Sequence, residues 1–238
     1  MLRRAGHILG SSTVEVRAGG LSTVFSGDLG NPYHPLLRSP DPPPAADAIV
    51  VESTYGDRSR PPRSLDRLAD AVTRAVGRGG TILIPAFALD RTEVLLMALK
   101  QLMAQGRIPQ IPVYVDSPMA LEALGVYREA IAAGASDILP GWDKETDPFD
   151  TGTLHTCQTV QESKLLNDSR LPAIIVSASG MATGGRVVHH LAGLAPDPRN
   201  VIVLAGFQVA GTRGRDLLDG ARTIKAHGRY IPISWATS

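Results

Sequence analysis

The chain has 238 residues, of which 43% are hydrophobic and 20% charged, as is typical of a globular protein. The 24 Lys and Arg residues nearly balance the 23 Asp and Glu residues, so the net charge of +1 excludes a strongly basic, charge-driven nucleic-acid binder. The single cysteine excludes an intrachain disulfide. The sequence contains no run of 18 apolar residues that could span a membrane, so we expect a cytoplasmic protein with no membrane partner.

The first 57 residues are predicted to form β-strands. The predicted strands are Thr13–Val16, Ser22–Ser26 and Ala48–Val51. Gly19 and Gly20 separate the first two strands and predict a hairpin turn, whereas the proline-rich segment 38–48 predicts a surface loop. The third strand is short and apolar, and we expect it to be buried and to present Glu52 at its end.

Strands and helices alternate after a polar, proline-containing connector at 58–63, where we place a domain boundary. The predicted strands are 81–86, 113–115, 173–176 and 201–204, and the predicted helices are 64–76, a helix after a capping Asp90, 119–133 and 185–194. Residues 135–170 predict irregular structure with one short helix at 159–166. This alternation predicts an α/β fold with a mostly parallel sheet flanked by helices.

Four polar or glycine-rich loops follow predicted strands of this sheet. They are Phe87–Arg91, Asp116–Met119, Ser177–Met181 and Gly206–Gln208. Ligands of open parallel sheets bind beyond the carboxyl ends of the strands, where helix N-termini favour anions. Each loop alone is more typical of a tight turn between a strand and a helix, but four together favour an edge of the sheet that faces a polyanion.

A histidine, an aspartate and a glutamate follow apolar or glycine-bounded segments near the start of the chain. His7, Asp28 and Glu52 are separated by 21 and then 24 residues. Zinc binds imidazole nitrogen and carboxylate oxygen, and a carboxylate can bridge two metals. Each residue alone has an ordinary structural explanation, so only their order and spacing together indicate a metal site.

The segments around these residues resemble part of a known family. Ala5–Ser11, Ser26–Gly30 and Glu52–Gly56 resemble two metal motifs of the metallo-β-lactamase fold followed by the first motif of its β-CASP branch, which contains RNA-processing nucleases. Further segments resemble the β-CASP domain in the family's order: Ile84–Arg91 with Glu93, Asp116–Met119, Ser177–Met181, Gly184–Arg186, and Gly206–Gln208 with Gly211–Thr212. The resemblance is strongest to bacterial and archaeal cleavage-factor-like ribonucleases.

This resemblance implies a domain organisation and a zinc-dependent ribonuclease reaction. Residues 1–57 would be part of a metallo-β-lactamase domain, residues 58–236 a β-CASP domain, and residues 237–238 the start of a return to the first domain. His7 would bind one of two Zn²⁺ ions, Asp28 would bridge both, and Glu52 would orient a catalytic histidine. The zinc pair would lower the pKa of a bridging water that attacks an RNA phosphodiester.

Some motifs of the family have no counterpart in this sequence. The His-x-His-x-Asp-His zinc motif and the C-terminal catalytic and metal histidines are absent. His189 and His190 are adjacent on a predicted helix, point about 100° apart and cannot chelate as an i, i+4 pair could; His227 has an expected structural role. We therefore expect a fragment of a longer enzyme that alone binds zinc weakly and cleaves no RNA.

RNA is the expected partner, in a cleft between the two predicted domains. The predicted contact residues are Arg91, Ser117, Ser177, Gly180, Arg186 and Gln208. The resemblance also allows a homodimer. Two alternatives stay open: a non-catalytic RNA-binding or partner subunit of the same family, and a hydrolase of DNA or small esters. The long α/β segment argues against small esters as substrates.

Overall fold

The computed structural model describes residues 1–57, 64–143, 145–168 and 171–234. The described residues form two compact units, one containing 1–57 and 126–147 and the other containing 64–125 and 148–234. The predicted domain boundary at 58–63 and the predicted return at 237–238 lie outside the described residues. Residues 126–147, which the predicted division assigns to the second domain, pack with the first unit.

The first unit contains a four-stranded sheet. Its strands, in spatial order, are β1 (Leu2–Arg4), β2 (Ser12–Ala18), β3 (Leu21–Phe25) and β4 (Ala48–Val50). β2 pairs antiparallel with β1 and β3, and β3 pairs parallel with β4. The predicted hairpin is confirmed: Gly19 and Gly20 both have positive φ, which a tight turn between twisted antiparallel strands requires.

One face of this sheet is apolar and exposed to solvent. The register aligns Leu2, Val14, Phe25 and Val50 in a row across all four strands. These side chains, which we call the apolar row, are 38% to 68% exposed. The prediction that the Ala48–Val51 strand is buried is therefore wrong, because β4 pairs only with β3 and continues this exposed face.

The second unit is built on a five-stranded sheet in which every pairing is parallel. The strands, in spatial order, are β7 (Leu154–Thr156), β6 (Val113–Asp116), β8 (Ile174–Ser177), β5 (Ile82–Pro85) and β9 (Val201–Ile202). The central strands β5 and β8 are completely buried, as their continuous apolar sequences predict. The predicted α/β fold with a mostly parallel sheet is confirmed.

Helices connect these strands, and a hairpin follows the sheet. The helices are α1 (Asp66–Gly77), α2 (Arg91–Ala104), α3 (Pro118–Ala133), α4 (Val160–Asp168), α5 (Arg186–Leu194) and α6 (Arg213–Leu218). The hairpin consists of β10 (Thr223–Ala226) and β11 (Arg229–Pro232). Leu217 of α6 and Ile224 of β10 join the buried cluster around Leu191 of α5. No described helix is long and apolar enough to cross a bilayer.

Two local predictions differ from the structure. Asp90 precedes α2 as expected, but its side chain makes no capping hydrogen bond and its φ is +64°. The prediction of Asp90 as a side-chain cap is therefore wrong. β7 lies inside the segment predicted to be irregular; it is a three-residue strand at the sheet edge, too short to produce an alternating pattern.

Candidate functional site

The three predicted site residues of the first unit lie at one edge of its sheet. His7 follows β1, Asp28 follows β3 and Glu52 follows β4, and these three strands run in the same direction. The His7 Nε2 atom is 3.9 Å from the Asp28 Oδ2 atom. Glu52 Oε1 accepts a hydrogen bond of 3.2 Å from the Leu29 N–H, next to Asp28. The fold thus brings together three residues of which the first and last, His7 and Glu52, are 45 positions apart in the sequence.

A compact turn holds the His7 backbone. The N–H groups of His7 and Ile8 both donate to the Ser11 Oγ atom, at 2.9 and 3.2 Å. The Ala5 N–H donates to the Ser11 carbonyl oxygen at 2.8 Å, which closes the turn. These bonds satisfy the backbone donors of the loop and leave the imidazole at the surface, 47% exposed.

The loop that carries Asp28 packs directly on the His7 loop. The Gly30 N–H donates to the Ala5 carbonyl oxygen at 2.9 Å, and a β-carbon at Gly30 would lie 1.7 Å from the Gly6 carbonyl oxygen. Gly6 itself has a φ of +64°, a backbone conformation that residues with a side chain rarely adopt. Two glycines therefore permit the approach of the loops, and the Asp28 side chain projects outward, 77% exposed.

Glu52 is held in the ionised form by hydrogen bonds from the backbone and a hydroxyl. The Thr54 hydroxyl and N–H, and the Leu29 N–H, lower the pKa of the Glu52 carboxyl below its usual value, and the nearby His7 adds to this effect. The Glu52 N–H also donates to the Ser26 Oγ atom at 3.0 Å. A carboxylate fixed by two N–H donors keeps lone pairs free to orient another group.

His7 and Asp28 match part of a zinc coordination sphere. Zinc sites generally use at least three protein ligands, with nitrogen and oxygen donors about 2.0–2.2 Å from the metal. Two donors 3.9 Å apart can flank one ion after a small adjustment. Within the described residues, however, no three His, Cys, Asp or Glu side chains gather closely enough to hold a metal.

The predicted polyanion-facing loops of the second unit share one edge of the sheet, because all five strands are parallel. A β-carbon at Gly180 would lie 2.9 Å from Phe87, and one at Gly206 would lie 3.8 Å from the same ring. The loops after β5, β8 and β9 therefore converge on Phe87, whose ring is partly exposed.

Five of the six predicted RNA-contact residues bond or pack within the unit. The Ser177 hydroxyl donates to the Asp116 carbonyl oxygen, and Gln208 Nε2 donates to the carbonyl oxygens of Gly180 and Gly206. Ser177 and Gln208 are buried. These bonds fix the shape of the loops, so the two side chains position backbone groups rather than reach solvent.

Ser117 and Arg186 also have partners within the unit. The Ser117 Oγ atom accepts from the Ala120 N–H in the first turn of α3. The Arg186 guanidinium donates to Asp116 Oδ1 at 2.7 Å and to the carbonyl oxygens of Cys157 and Gln158 at 2.9 and 2.8 Å. Arg91, at the start of α2, is the sixth predicted contact residue. It is half-buried, and no hydrogen bond or ion pair holds its side chain among the described residues.

A buried network around Asp116 is the main feature that sequence reasoning missed. Asp116 Oδ2 accepts from Ser163 Oγ at 2.5 Å and lies 2.6 Å from His190 Nε2. Burial by itself raises the pKa of this carboxyl, but hydrogen bonds from His190, Ser163 and Arg186 outweigh it and lower the pKa. A buried network of this kind is revealed only by tertiary contact, because its members come from β6, α4 and α5.

Glu93 is a second buried acid, with a different environment. It is fully buried in the first turn of α2, and neither carboxylate oxygen has a hydrogen-bond partner among the described residues. Burial raises the pKa of Glu93 to about 7, and the Asp90 charge adds to the increase. In the sequence, only the position of Glu93 next to the apolar residues of α2 could have indicated a buried acid.

A comparison with protein families supports the resemblance carried by these segments. The model of the Beta-Casp domain matches residues 92–217, which include most of the second unit. The match covers α2 to α6 and therefore contains the loops after β6 and β8.

Known relatives match almost the entire chain. It is 33% identical to ribonuclease TTHA0252 of Thermus thermophilus over 233 residues, which are 97% of this chain and 53% of that protein. It is 34% identical to transcription termination factor FttA of Pyrococcus horikoshii, over 95% of this chain and 36% of that protein. Endoribonuclease YSH1 of Mycosarcoma maydis is 28% identical over 96% of this chain and 26% of its own length. The chain thus spans about half the length of the first of these relatives, and it belongs to the β-CASP ribonuclease family of the metallo-β-lactamase superfamily.

Proposed function

We propose that the complete protein to which this chain belongs hydrolyses RNA phosphodiester bonds with the help of zinc. The observation that carries the proposal is the meeting of His7, Asp28 and Glu52 at one edge of the first sheet. The names of two relatives, a ribonuclease and an endoribonuclease, support RNA as the substrate.

Each of the three residues has a role that suits its surroundings. His7 would supply an imidazole nitrogen to one Zn²⁺, and the exposed Asp28 carboxylate has two oxygens with which to contact two ions. Glu52 is ionised and fixed by N–H donors, so it would hold a catalytic histidine in orientation. When bound, the zinc pair would supply Lewis-acid stabilisation of negative charge at the phosphate.

RNA contact would occur at the loop edge of the second unit. Arg91 is the side chain we propose for direct phosphate contact, since this residue is partly exposed. Ser117, Ser177, Gly180, Arg186 and Gln208 would contribute by shaping the loops. Backbone N–H groups and the helices that follow the loops would then face the polyanion.

The 238-residue chain by itself contributes only two zinc donors from the described residues, which favours weak metal binding and no cleavage. We propose that further ligands and a catalytic histidine come from the rest of a longer polypeptide. The same incompleteness makes a non-catalytic RNA-binding or partner role the alternative for this chain alone. A homodimer is a further proposal, tested by light scattering.

The test compares this chain with the full-length product of its natural gene, by zinc content after dialysis and by cleavage of a labelled single-stranded RNA. We expect zinc and chelator-sensitive cleavage only in the full-length protein. There, Asp28→Asn should remove zinc, whereas Glu52→Gln should keep zinc and lower kcat about 100-fold. Asp47→Asn is the matched control, because Asp47 bonds to Ser22 at the start of β3, away from the site. Full activity of the Asp28→Asn protein would refute the proposal.

A further inference from the structure

A basic groove in the second unit lies between α4, α5, α6, the 183–185 loop and the β10–β11 turn. Its volume is about 470 Å³, enough for a phosphate group with an attached nucleoside. Its titratable lining residues are Lys164, Arg186, His189, Arg213 and His227, and none of its described lining residues is an acid.

Two histidines from different elements form one wall. The rings of His189 on α5 and His227 in the hairpin turn stack with centroids 4.0 Å apart and an angle of 29° between planes. Desolvation lowers the pKa of His189, and the charges of His227, His190 and Lys164 lower it further. Two protonated imidazoles at this separation repel each other, and a bound anion would relieve that repulsion.

Permanent positive charge lies on the remaining walls. The Arg213 guanidinium donates to the carbonyl oxygens of Ala182 and Thr183 at 3.0 and 2.9 Å. These acceptors are neutral, so they orient the guanidinium without cancelling its charge. Lys164 projects from the exposed side of α4. Arg186 contributes less, because its charge is matched by Asp116 at 2.7 Å.

The other charged groups around the histidine pair do not reverse this balance. On α4, the exposed Glu162 accepts hydrogen bonds from the Gln158 and Thr159 N–H groups. Asp116, at the end of β6, is engaged by Arg186 and by His190 of α5. The hairpin strands that flank the turn add two further cations, Lys225 and Arg229.

We propose that this groove binds a phosphate group between Lys164, Arg213 and the histidine pair. The site goes beyond the proposed hydrolysis, since His7, Asp28 and Glu52 take no part in it. Because the anion favours protonated His189 and His227, phosphate binding takes up protons and tightens as the pH falls. The phosphate is either a phosphodiester of RNA or a free phosphate, which share this chemistry.

Histidine NMR tests the proposal on the 238-residue chain. The imidazole Cε1–H signals are titrated at constant ionic strength with sodium sulfate, a dianion over the whole pH range used, and with a 5′-hydroxyl heptauridylate RNA. We expect sulfate or the RNA to raise the pKa values of His189 and His227 that these signals report. Affinity should rise between pH 7.5 and 6.5 by up to tenfold, which is the limit per pH unit for the uptake of one proton.

Variants connect the response to the groove. His189→Gln with His227→Asn should abolish the pH dependence, and asparagine tolerates the positive φ of +48° at residue 227. Lys164→Gln, at an exposed helix position, tests the same groove without altering the turn and should weaken binding about threefold. His155→Gln is the matched control, because this exposed histidine stacks on Tyr114 of β6 instead.

The outcomes separate the two sources of phosphate and decide the proposal. A response to both probes assigns RNA as a source, and a response to sulfate alone assigns a free phosphate. Unchanged pKa values with both probes would overturn the proposal. Equal affinity and pH dependence in the wild type, the double variant and Lys164→Gln would overturn it as well.

Discussion

Gly30 packs so closely on Gly6 that a β-carbon at position 30 would lie 1.7 Å from the Gly6 carbonyl oxygen. The Gly30 N–H simultaneously bonds to the neighbouring Ala5 carbonyl oxygen at 2.9 Å. This backbone contact joins the two loops that carry His7 and Asp28, whose side chains lie 3.9 Å apart. The geometry of the candidate metal site therefore depends on a residue that carries no chemistry of its own.

Gly30→Ala should separate the two loops and destabilise the first unit by about 3 kcal/mol, since backbone has no flexible end to move aside. Urea unfolding and amide NMR signals measure this, and signals of the second unit should be unchanged. Gly77→Ala is the control, because a β-carbon there would meet nothing within 4 Å. Equal stability of the two variants would show that the loops can yield at Gly30.

Asp116→Asn should destabilise the second unit by about 3 kcal/mol or more, because it leaves Arg186 and His190 without their carboxylate. The folded-state pKa of Asp116 is lowered from 3.8, so its contribution is complete above about pH 4 and is lost as the pH falls through the lowered pKa. Urea unfolding between pH 7 and 2 should show a smaller loss on acidification in the variant.

The matched control for this prediction is Asp219→Asn, which breaks the exposed i, i+4 pair between Arg215 of α6 and Asp219, the residue that follows α6. Solvent screens such a pair, so we expect a change of about 0.5 kcal/mol or less. A similar cost for both substitutions would contradict the assignment of Asp116 as the charged centre of a buried network.

Glu93→Gln should remove the pH-dependent loss of folding stability that ionisation of the buried Glu93 causes in the second unit. The pKa of Glu93 is raised from 4.5 to about 7, so the wild type loses stability as the pH rises from about 4.5 to 7 and then levels off. The shift corresponds to about 3 kcal/mol. The difference in urea stability between variant and wild type should grow over this interval, whereas the exposed Glu122→Gln should show no such trend.

The apolar row of the first sheet should promote self-association. Replacing Val14 and Phe25 by threonine keeps β-propensity and removes exposed apolar surface. We expect weaker binding of the dye ANS and less light scattering, with a stability change of about 1 kcal/mol or less. Val24→Thr is the control on the buried face and should instead destabilise the unit. Undiminished dye binding in the double variant would show that the row is not the binding surface.

Much of the second unit was predictable because its strands are buried on both faces. A continuous apolar run such as Ile82–Ile84 between glycine-rich loops leaves few alternatives to a central strand. The strand β4 was located correctly but its burial was not, because burial depends on which element covers a sheet face. The edge strand β7 escaped prediction for a related reason: three residues carry no period.

The candidate site shows the same division. The proximity of His7, Asp28 and Glu52 followed from a family resemblance, and the structure supplies the bond from Leu29 to Glu52. Arg186 was predicted to contact RNA because it follows a glycine-rich loop. Its guanidinium instead faces Asp116, 70 residues earlier in the chain, and no local pattern announces such a partner.

The amino-acid sequence by itself determined the α/β alternation and the parallel sheet, since these follow from local periodicity and turn chemistry. Only the tertiary structure decided which buried acids have charged partners, as Asp116 has in Arg186, and which have no hydrogen-bond partner among the described residues, as with Glu93. It also brought His189 and His227 into a shared groove. Pairing, desolvation and stacking are relations across long sequence separations, so they exist only once the chain has folded.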